Sequence, residues 1–222
     1  MHRGLLLRGS RFATAYYVIQ GQFPGPTVMI NAGTHGNEPA GIEAARALRH
    51  TRLTKGKLVI LPTLNVRAFR KHIRGTPDIN RAFPSTMGGT SRHPLAAAVL
   101  RLAMKQRPRW VIDMHEATGY SAINRSRLGQ SILTSPRSKA YTTARALIAR
   151  INRSIGPKNH RFTHRMMERP GSLRTALSRL GIRSMTVETS INIPRIWRVH
   201  YHAEIVRLLM RQTGLIGPRK EA

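Results

Sequence analysis

Three short apolar runs, each breaking directly into residues able to hold a metal or move a proton, constrain this chain more than any other feature. Thr27–Asn31 (TVMIN) leads into Gly33-Thr34-His35-Gly36-Asn37-Glu38. Trp110–Ile112 leads into Asp113-Met114-His115-Glu116, and Met185–Val187 into Glu188-Thr189-Ser190. Runs this short, bounded by turn and polar residues, read as buried strands. Helical patterns alternate with them, which implies a mainly parallel sheet covered on both faces. In open sheets of that kind, sites form beyond the carboxyl ends of the strands. Three such ends therefore supply one crevice.

The remaining elements follow the same alternation. Ala15–Gln20 and Lys57–Leu61 (KLVIL) read as strands, with a turn over Gly21–Pro26. Helices are expected over Ala40–His50, Pro94–Lys105, Ser138–Arg153, Leu173–Leu180 and about Ile196–Gln212. Pro94 suits a first helical turn and Gly181 a helix stop. Asn65–Thr90, rich in Gly, Pro, Asp and Asn, reads as one long loop, of a length that is usually either functional or disordered. Trp110 and Trp197 read as core anchors. The 222 residues fit a single unit over 1–222 with a core of about 15–212. The expected fold is a single doubly wound α/β domain with a mixed, mainly parallel sheet flanked by helices.

Composition narrows the partners. Lys and Arg number 38 against 9 Asp and Glu, a net charge of +29. Such a surface attracts anions. Aromatic residues make up only 5% of the chain, which leaves few platforms for stacking bases, and no nucleic-acid motif is present. Nucleic acid is therefore not the expected ligand, despite the charge. Cysteine is absent, which excludes disulfides and thiolate zinc sites. No stretch approaches the ~18 apolar residues of a membrane span. The three-Leu run in Met1–Arg8 is shorter than a signal-peptide core of about 7–15 residues. A cytoplasmic protein is expected; the oligomeric state is not legible.

The chemistry lies at the strand ends. In His-x-x-Glu on a turn entering a helix, an imidazole and a carboxylate can face one ion, and Gly33 and Gly36 permit the tight backbone. Catalytic zinc takes three protein ligands and leaves one position open. His35, Glu38 and His115 supply such a set. The alternative has Glu38 capping a helix beside a loop histidine. Asp113, two residues before His115, can orient a ligand by a hydrogen bond, or else contact backbone or an Arg. Asn80-Arg81 suits a substrate carboxylate, the Arg as a planar fork and the Asn as a directed donor; alternatively Arg81 pairs with Asp78. Glu188, ending a buried strand, can accept a proton from water and pass it to a leaving amine, or else cap a helix or pair with an Arg. His50, His72, His93, His160, His164, His200 and His202 read as structural or surface histidines.

Four segments in order, Gly33–Glu38, Asp78-Ile79-Asn80-Arg81-Ala82-Phe83-Pro84, Ile112–Ala117 and Thr186–Thr189, resemble the zinc carboxypeptidase superfamily, and within it the succinylglutamate desuccinylase/aspartoacylase branch. The resemblance implies a doubly wound domain with one zinc ion held by His35, Glu38 and His115. It implies Asn80 and Arg81 as binders of a substrate carboxylate and Glu188 as general base. Arg74, slightly upstream, matches a further Arg that touches substrate or oxyanion. The implied activity is zinc-dependent hydrolysis of an amide bond, in an N-acyl amino acid or peptide bearing a free carboxylate, by metal-activated water. The competing readings are a carboxypeptidase or amidase acting on cell-wall peptides, and a non-catalytic basic domain that binds anions or nucleic acid.

Overall fold

The computed structural model describes residues 1–136 and 138–218. The end of the expected domain, 219–222, lies outside the described residues. One eight-stranded sheet organises the chain. Its strands are β1 (His2–Leu6), β2 (Thr14–Gln20), β3 (Phe23–Ala32), β4 (Lys55–Leu61), β5 (Trp110–Ala117), β6 (Ser131–Thr134), β7 (Thr163–Met166) and β8 (Arg183–Ser190). The helices are α1 (Pro39–Leu48), α2 (Val66–Arg70), α3 (Pro94–Gln106), α4 (Tyr141–Ile151), α5 (Leu173–Arg179) and α6 (Arg195–Gln212).

Across the sheet the order is β1-β2-β4-β3-β5-β8-β6-β7. The four central strands β4, β3, β5 and β8 run parallel. β2 joins β4 antiparallel, β1 pairs with β2 as a hairpin, and β6 returns antiparallel to β8. The sheet is thus mixed with a parallel centre. From β3 the chain passes to β4 on one side and then crosses to β5 on the other. The carboxyl ends of β3 and β5 therefore flank the point where winding reverses, where a crevice opens in such folds.

Alternation along the central strands feeds two cores. Val28, Ile30 and Ile112 face α1, α4 and α6 with Leu48, Leu147, Ile205 and Leu209. Met29, Val59 and Val111 face the other way, against α3 and α5 with Leu95, Val99 and Leu177. All of these side chains are buried.

Several sequence expectations are corrected. Gly21–Pro26 is not simply a turn, because β3 already begins at Phe23. The segment 65–90 is not featureless: Asn65 caps the short α2, accepting the Ala68 N–H at 3.1 Å, and Ile79–Arg81 forms a single tight 3-10 turn. The outer strands β1, β6 and β7 were not expected. Trp110 is a core residue, but Trp197, at the start of α6, is 52% exposed and anchors nothing in the core. Among the described residues, no helix is long and apolar enough to cross a membrane.

Candidate metal centre and active site

The turn after β3 delivers the first two side chains. Gly33 adopts φ +65°, in the left-handed region that Gly enters without strain. Gly36 lies so close to α2 that a Cβ would sit 2.0 Å from the Ala68 carbonyl carbon, so no other residue fits. The chain then enters α1 through Glu38 and Pro39. Glu38 occupies the N-cap position, but its carboxylate caps nothing. It turns inward instead, with Oε1 2.6 Å from His35 Nδ1 and Oε2 2.8 Å from His115 Nδ1. One potential ligand atom from each of His35, Glu38 and His115 lies within 4.8 Å of the others, in a buried cluster able to hold a metal ion.

Each imidazole is steadied from behind. His35 Nε2 lies 3.0 Å from Asp78 Oδ1, and His115 Nε2 lies 3.0 Å from Asp113 Oδ2. Both rings thus present Nδ1 to the shared centre and Nε2 to a carboxylate, an arrangement that fixes ring orientation and raises ligand basicity at metal sites. Asp113 is itself held by the Asn31 amide, which donates to Oδ1 at 2.6 Å. Asp78 receives Arg74 at 2.8 Å and the Asn80 N–H at 2.8 Å. The expected alternative partner of Asp78 is therefore replaced: Arg74, not Arg81, pairs with it. Arg81 donates to the Asn80 carbonyl at 2.7 Å. The Asn80 side chain spans the site, its Nδ2 3.4 Å from His115 Nε2 and its Oδ1 accepting the Leu173 N–H at 3.2 Å.

Glu188 arrives by sheet register. It pairs with His115 across β5 and β8, so both side chains leave the same face of the sheet. The Glu188 side chain is buried, lines the cavity, and makes no side-chain hydrogen bond among the described residues. Glu116, the next residue along β5, points to the other face. Its Oε1 accepts the Ala40 N–H of α1 at 2.6 Å, and its Oε2 pairs with Arg198 of α6. It ties the sheet to two helices and so braces the turn that carries Glu38.

The electrostatics follow from this packing. Burial alone would depress both histidines. Hydrogen bonds to Asp78 and Glu38 outweigh it for His35, and Asp113 and Glu38 outweigh it for His115, so both rings are raised. Burial would raise Glu38, but the His115 and His35 rings pull it down. Glu188 lacks such partners. Burial, reinforced by the nearby Glu38 and Asp113 and opposed by His115, lifts its carboxyl to about 7.

These residues line a cavity of about 100 Å³. Four arginines, Arg74, Arg81, Arg169 and Arg174, share its wall. Asp78, Arg169 and Arg174 were not singled out in the sequence as site residues. Asp78 carried a signal, since it stands two residues before Asn80 in the same segment. Arg174 carried none: it lies on α5, is almost fully buried, and donates to Ser135 Oγ at 2.9 Å and the Met167 carbonyl at 2.6 Å. Burial lowers its guanidinium to about 10.

Known proteins agree with this architecture. None of the curated proteins compared matches the sequence. Among solved structures, the apo cell shape determinant Csd4 of Helicobacter pylori superposes with a TM-score of 0.82 at 20% identity, over 93% of this chain and 56% of that one. A succinylglutamate desuccinylase from a Silicibacter species superposes with a TM-score of 0.74 at 21% identity, over 99% of this chain and 69% of that one. The ectoine utilization protein EutE (DoeB) of Ruegeria pomeroyi gives 0.72 at 18% identity, over 94% and 63%. These likenesses show the fold, and the chain spans little more than half the length of the Csd4 structures. The model of the succinylglutamate desuccinylase/aspartoacylase catalytic domain matches residues 24–190, from the start of β3 to the end of β8. The chain belongs to the succinylglutamate desuccinylase/aspartoacylase catalytic-domain family.

Proposed function

We propose that this chain is a zinc-dependent hydrolase that cleaves an amide bond in a small substrate bearing a free carboxylate. The observation that carries this reading is the convergence of His35, Glu38 and His115 beside an unpaired, buried Glu188. The donor set fits zinc: two imidazoles and one carboxylate, with both rings backed by carboxylates and a cavity left in front. Zinc held there supplies Lewis acidity, polarising the scissile carbonyl and lowering the pKa of water toward about 7.

The side chains account for the remaining steps. Glu188, raised to about 7, accepts a proton from the attacking water and delivers it to the leaving amine. Water adds to the amide carbon, the C–N bond breaks, and an amine and a carboxylate leave. Arg81 offers a planar fork for the free carboxylate, with Asn80 beside it, so that the scissile bond is aligned. Arg74, 3.7 Å from Glu38 at the cavity rim, faces the place where negative charge develops on the carbonyl oxygen. The four-arginine wall supports an anionic substrate.

The same machinery serves an N-acyl amino acid or a peptide with a free carboxyl end. The second reading, a carboxypeptidase or amidase on cell-wall peptides, draws support from Csd4, which is described as a D,L-carboxypeptidase and has been solved with a tripeptide bound. The deciding experiment is metal quantification on purified protein, followed by a turnover screen of N-acyl amino acids and short peptides against their carboxyl-amidated forms. About one zinc per chain and turnover only of the free carboxylates is expected. Protein that takes up no divalent cation, or that ignores the terminal carboxylate, overturns the proposal.

A further inference from the structure

Outside the candidate centre the described surface is nearly free of unpaired negative charge. Eight of the nine acidic residues are described, and of these Glu38, Asp78, Asp113, Glu116 and Glu188 belong to the centre and its supports. Glu43 pairs with Arg195 at 2.6 Å, Glu168 with Arg179 at 2.6 Å and Glu204 with Arg211 at 3.1 Å. Apart from Arg74, Arg198 and Arg207, the other surface cations have no carboxylate within salt-bridge distance among the described residues.

Within this shell cations gather in clefts free of carboxylates, and one of these clefts sets a lysine and a histidine beside its arginines. It measures about 380 Å³ and opens between the β1–β2 turn, α2 and the start of α3. Arg11, Phe12, Arg67, Lys71 and His93 line it, and no carboxylate does. The Arg11 and Arg67 guanidinium carbons lie 4.9 and 5.8 Å from the centroid of the same Phe12 ring. His93 meets that ring edge-on at 4.9 Å. His93 Nδ1 accepts the Leu95 N–H at 3.1 Å, which leaves Nε2 as the ring's N–H donor. Burial, aided by Arg11, holds this ring below its ordinary pKa and so neutral at pH 7.

Two guanidiniums on one ring, with an ammonium and an N–H donor beside them, repel one another unless an anion sits between them. A carboxylate brings one charge and two oxygens. A phosphate group brings about −1.5 to −2 and three strong acceptor oxygens, which suits donors arriving from several directions. We propose that the cleft between Arg11, Arg67, Lys71 and His93 is a binding site for a phosphate group, distinct from the candidate hydrolytic centre. Arg11 and Arg67 grip its oxygens as forks, and Lys71 and His93 complete the donor set.

The test separates this site from the general charge of the surface. Pyrophosphate binding is measured by calorimetry for the wild type, for Arg11→Gln/Arg67→Gln, and for Arg150→Gln/Arg153→Gln, which removes the same charge from the last turn of α4 and the segment just after it. Saturable binding that weakens about tenfold or more in the first pair, and less than about twofold in the second, is the expected result. Arg11 and Arg67 are exposed, so both variants should fold as the wild type does, and Lys71→Gln alone gives a second, milder reading. Equal weakening by both pairs, or no saturable binding by the wild type, overturns the proposal. A thymidine oligonucleotide and phosphatidylglycerol vesicles, tested on the same variants, identify the source of the phosphate. Selective loss with one of them assigns a polymer or a lipid headgroup, and loss confined to pyrophosphate assigns a free phosphate compound.

Discussion

His115 and Glu188 are register partners on the adjacent parallel strands β5 and β8. Backbone hydrogen bonding therefore sets an imidazole of the centre beside a cavity carboxylate that has no side-chain hydrogen bond among the described residues. Their backbone spacing is set by the sheet and does not depend on loop conformation.

Glu188→Gln should keep zinc content at the wild-type level and reduce kcat by about 10²–10⁴-fold. A base must be deprotonated to act. Because burial raises Glu188, wild-type kcat/KM should fall with acidification, about tenfold per pH unit once the pH is below the pKa of the base. The residual activity of the variant should lack this limb. Turnover that survives the substitution, or an unchanged pH profile, removes Glu188 from the role of base.

Asp78→Asn and Asp113→Asn should each weaken zinc affinity by about 10–100-fold, measured by competition with a chromogenic chelator. Both carboxylates stand 3.0 Å behind an imidazole Nε2. His115→Ala should abolish stoichiometric zinc. Unaltered affinity in the two Asp variants would mean that these contacts serve folding alone.

Glu116→Ala should destabilise the protein by about 3–5 kcal/mol, since it strands Arg198 and the Ala40 N–H in the interior. Urea midpoints with an unchanged m-value would report it. Zinc affinity should also fall, because the start of α1 loses its brace. A loss under about 1 kcal/mol would show that water reaches the pair.

His93 supplies a pH-dependent helix cap. Its folded pKa is depressed, by burial first and by Arg11 second. The folded state then binds fewer protons than the unfolded state. The contribution is complete above the ordinary value of about 6.5 and is lost as pH falls through it. Protonation of Nδ1 also removes the acceptor for the Leu95 N–H. His93→Asn keeps a capping acceptor that does not titrate. Between pH 7.5 and 5.5 the wild type should lose more stability than this variant, by at most about 1.4 kcal/mol. Identical pH dependence of the two would exclude the device.

The centre of the fold was legible, and its margins were not. The strands β3, β4, β5 and β8 are apolar runs buried on both faces, and such runs announce themselves. β6 (SILT) and β7 (THRM) have four residues each and mixed polarity, and they become strands only because β8 offers an edge. Trp197 misled because a large ring usually packs, whereas the first turn of α6 projects beyond the core. In the candidate site, His35, Glu38, His115 and Glu188 were readable because each stands shortly after a buried apolar run, the first two in the turn after β3 and the others near the carboxyl ends of β5 and β8. Arg174 reaches the same cavity from a helix 14 positions before Glu188 in the sequence. Only the packing of α5 on the sheet brings it there, and no local pattern records that packing.

The segregation of charge has a kinetic consequence. The ligand carboxylate and its supporting acids lie in a well beneath a strongly positive surface, and the two species the chain is proposed to need arrive with opposite signs. A divalent cation must cross a repulsive barrier to reach the well, so its uptake should quicken as ionic strength rises and the barrier is screened. An anionic substrate is drawn in from every side, and its capture should slow over the same range of salt. Loading and turnover are thus favoured by opposite media.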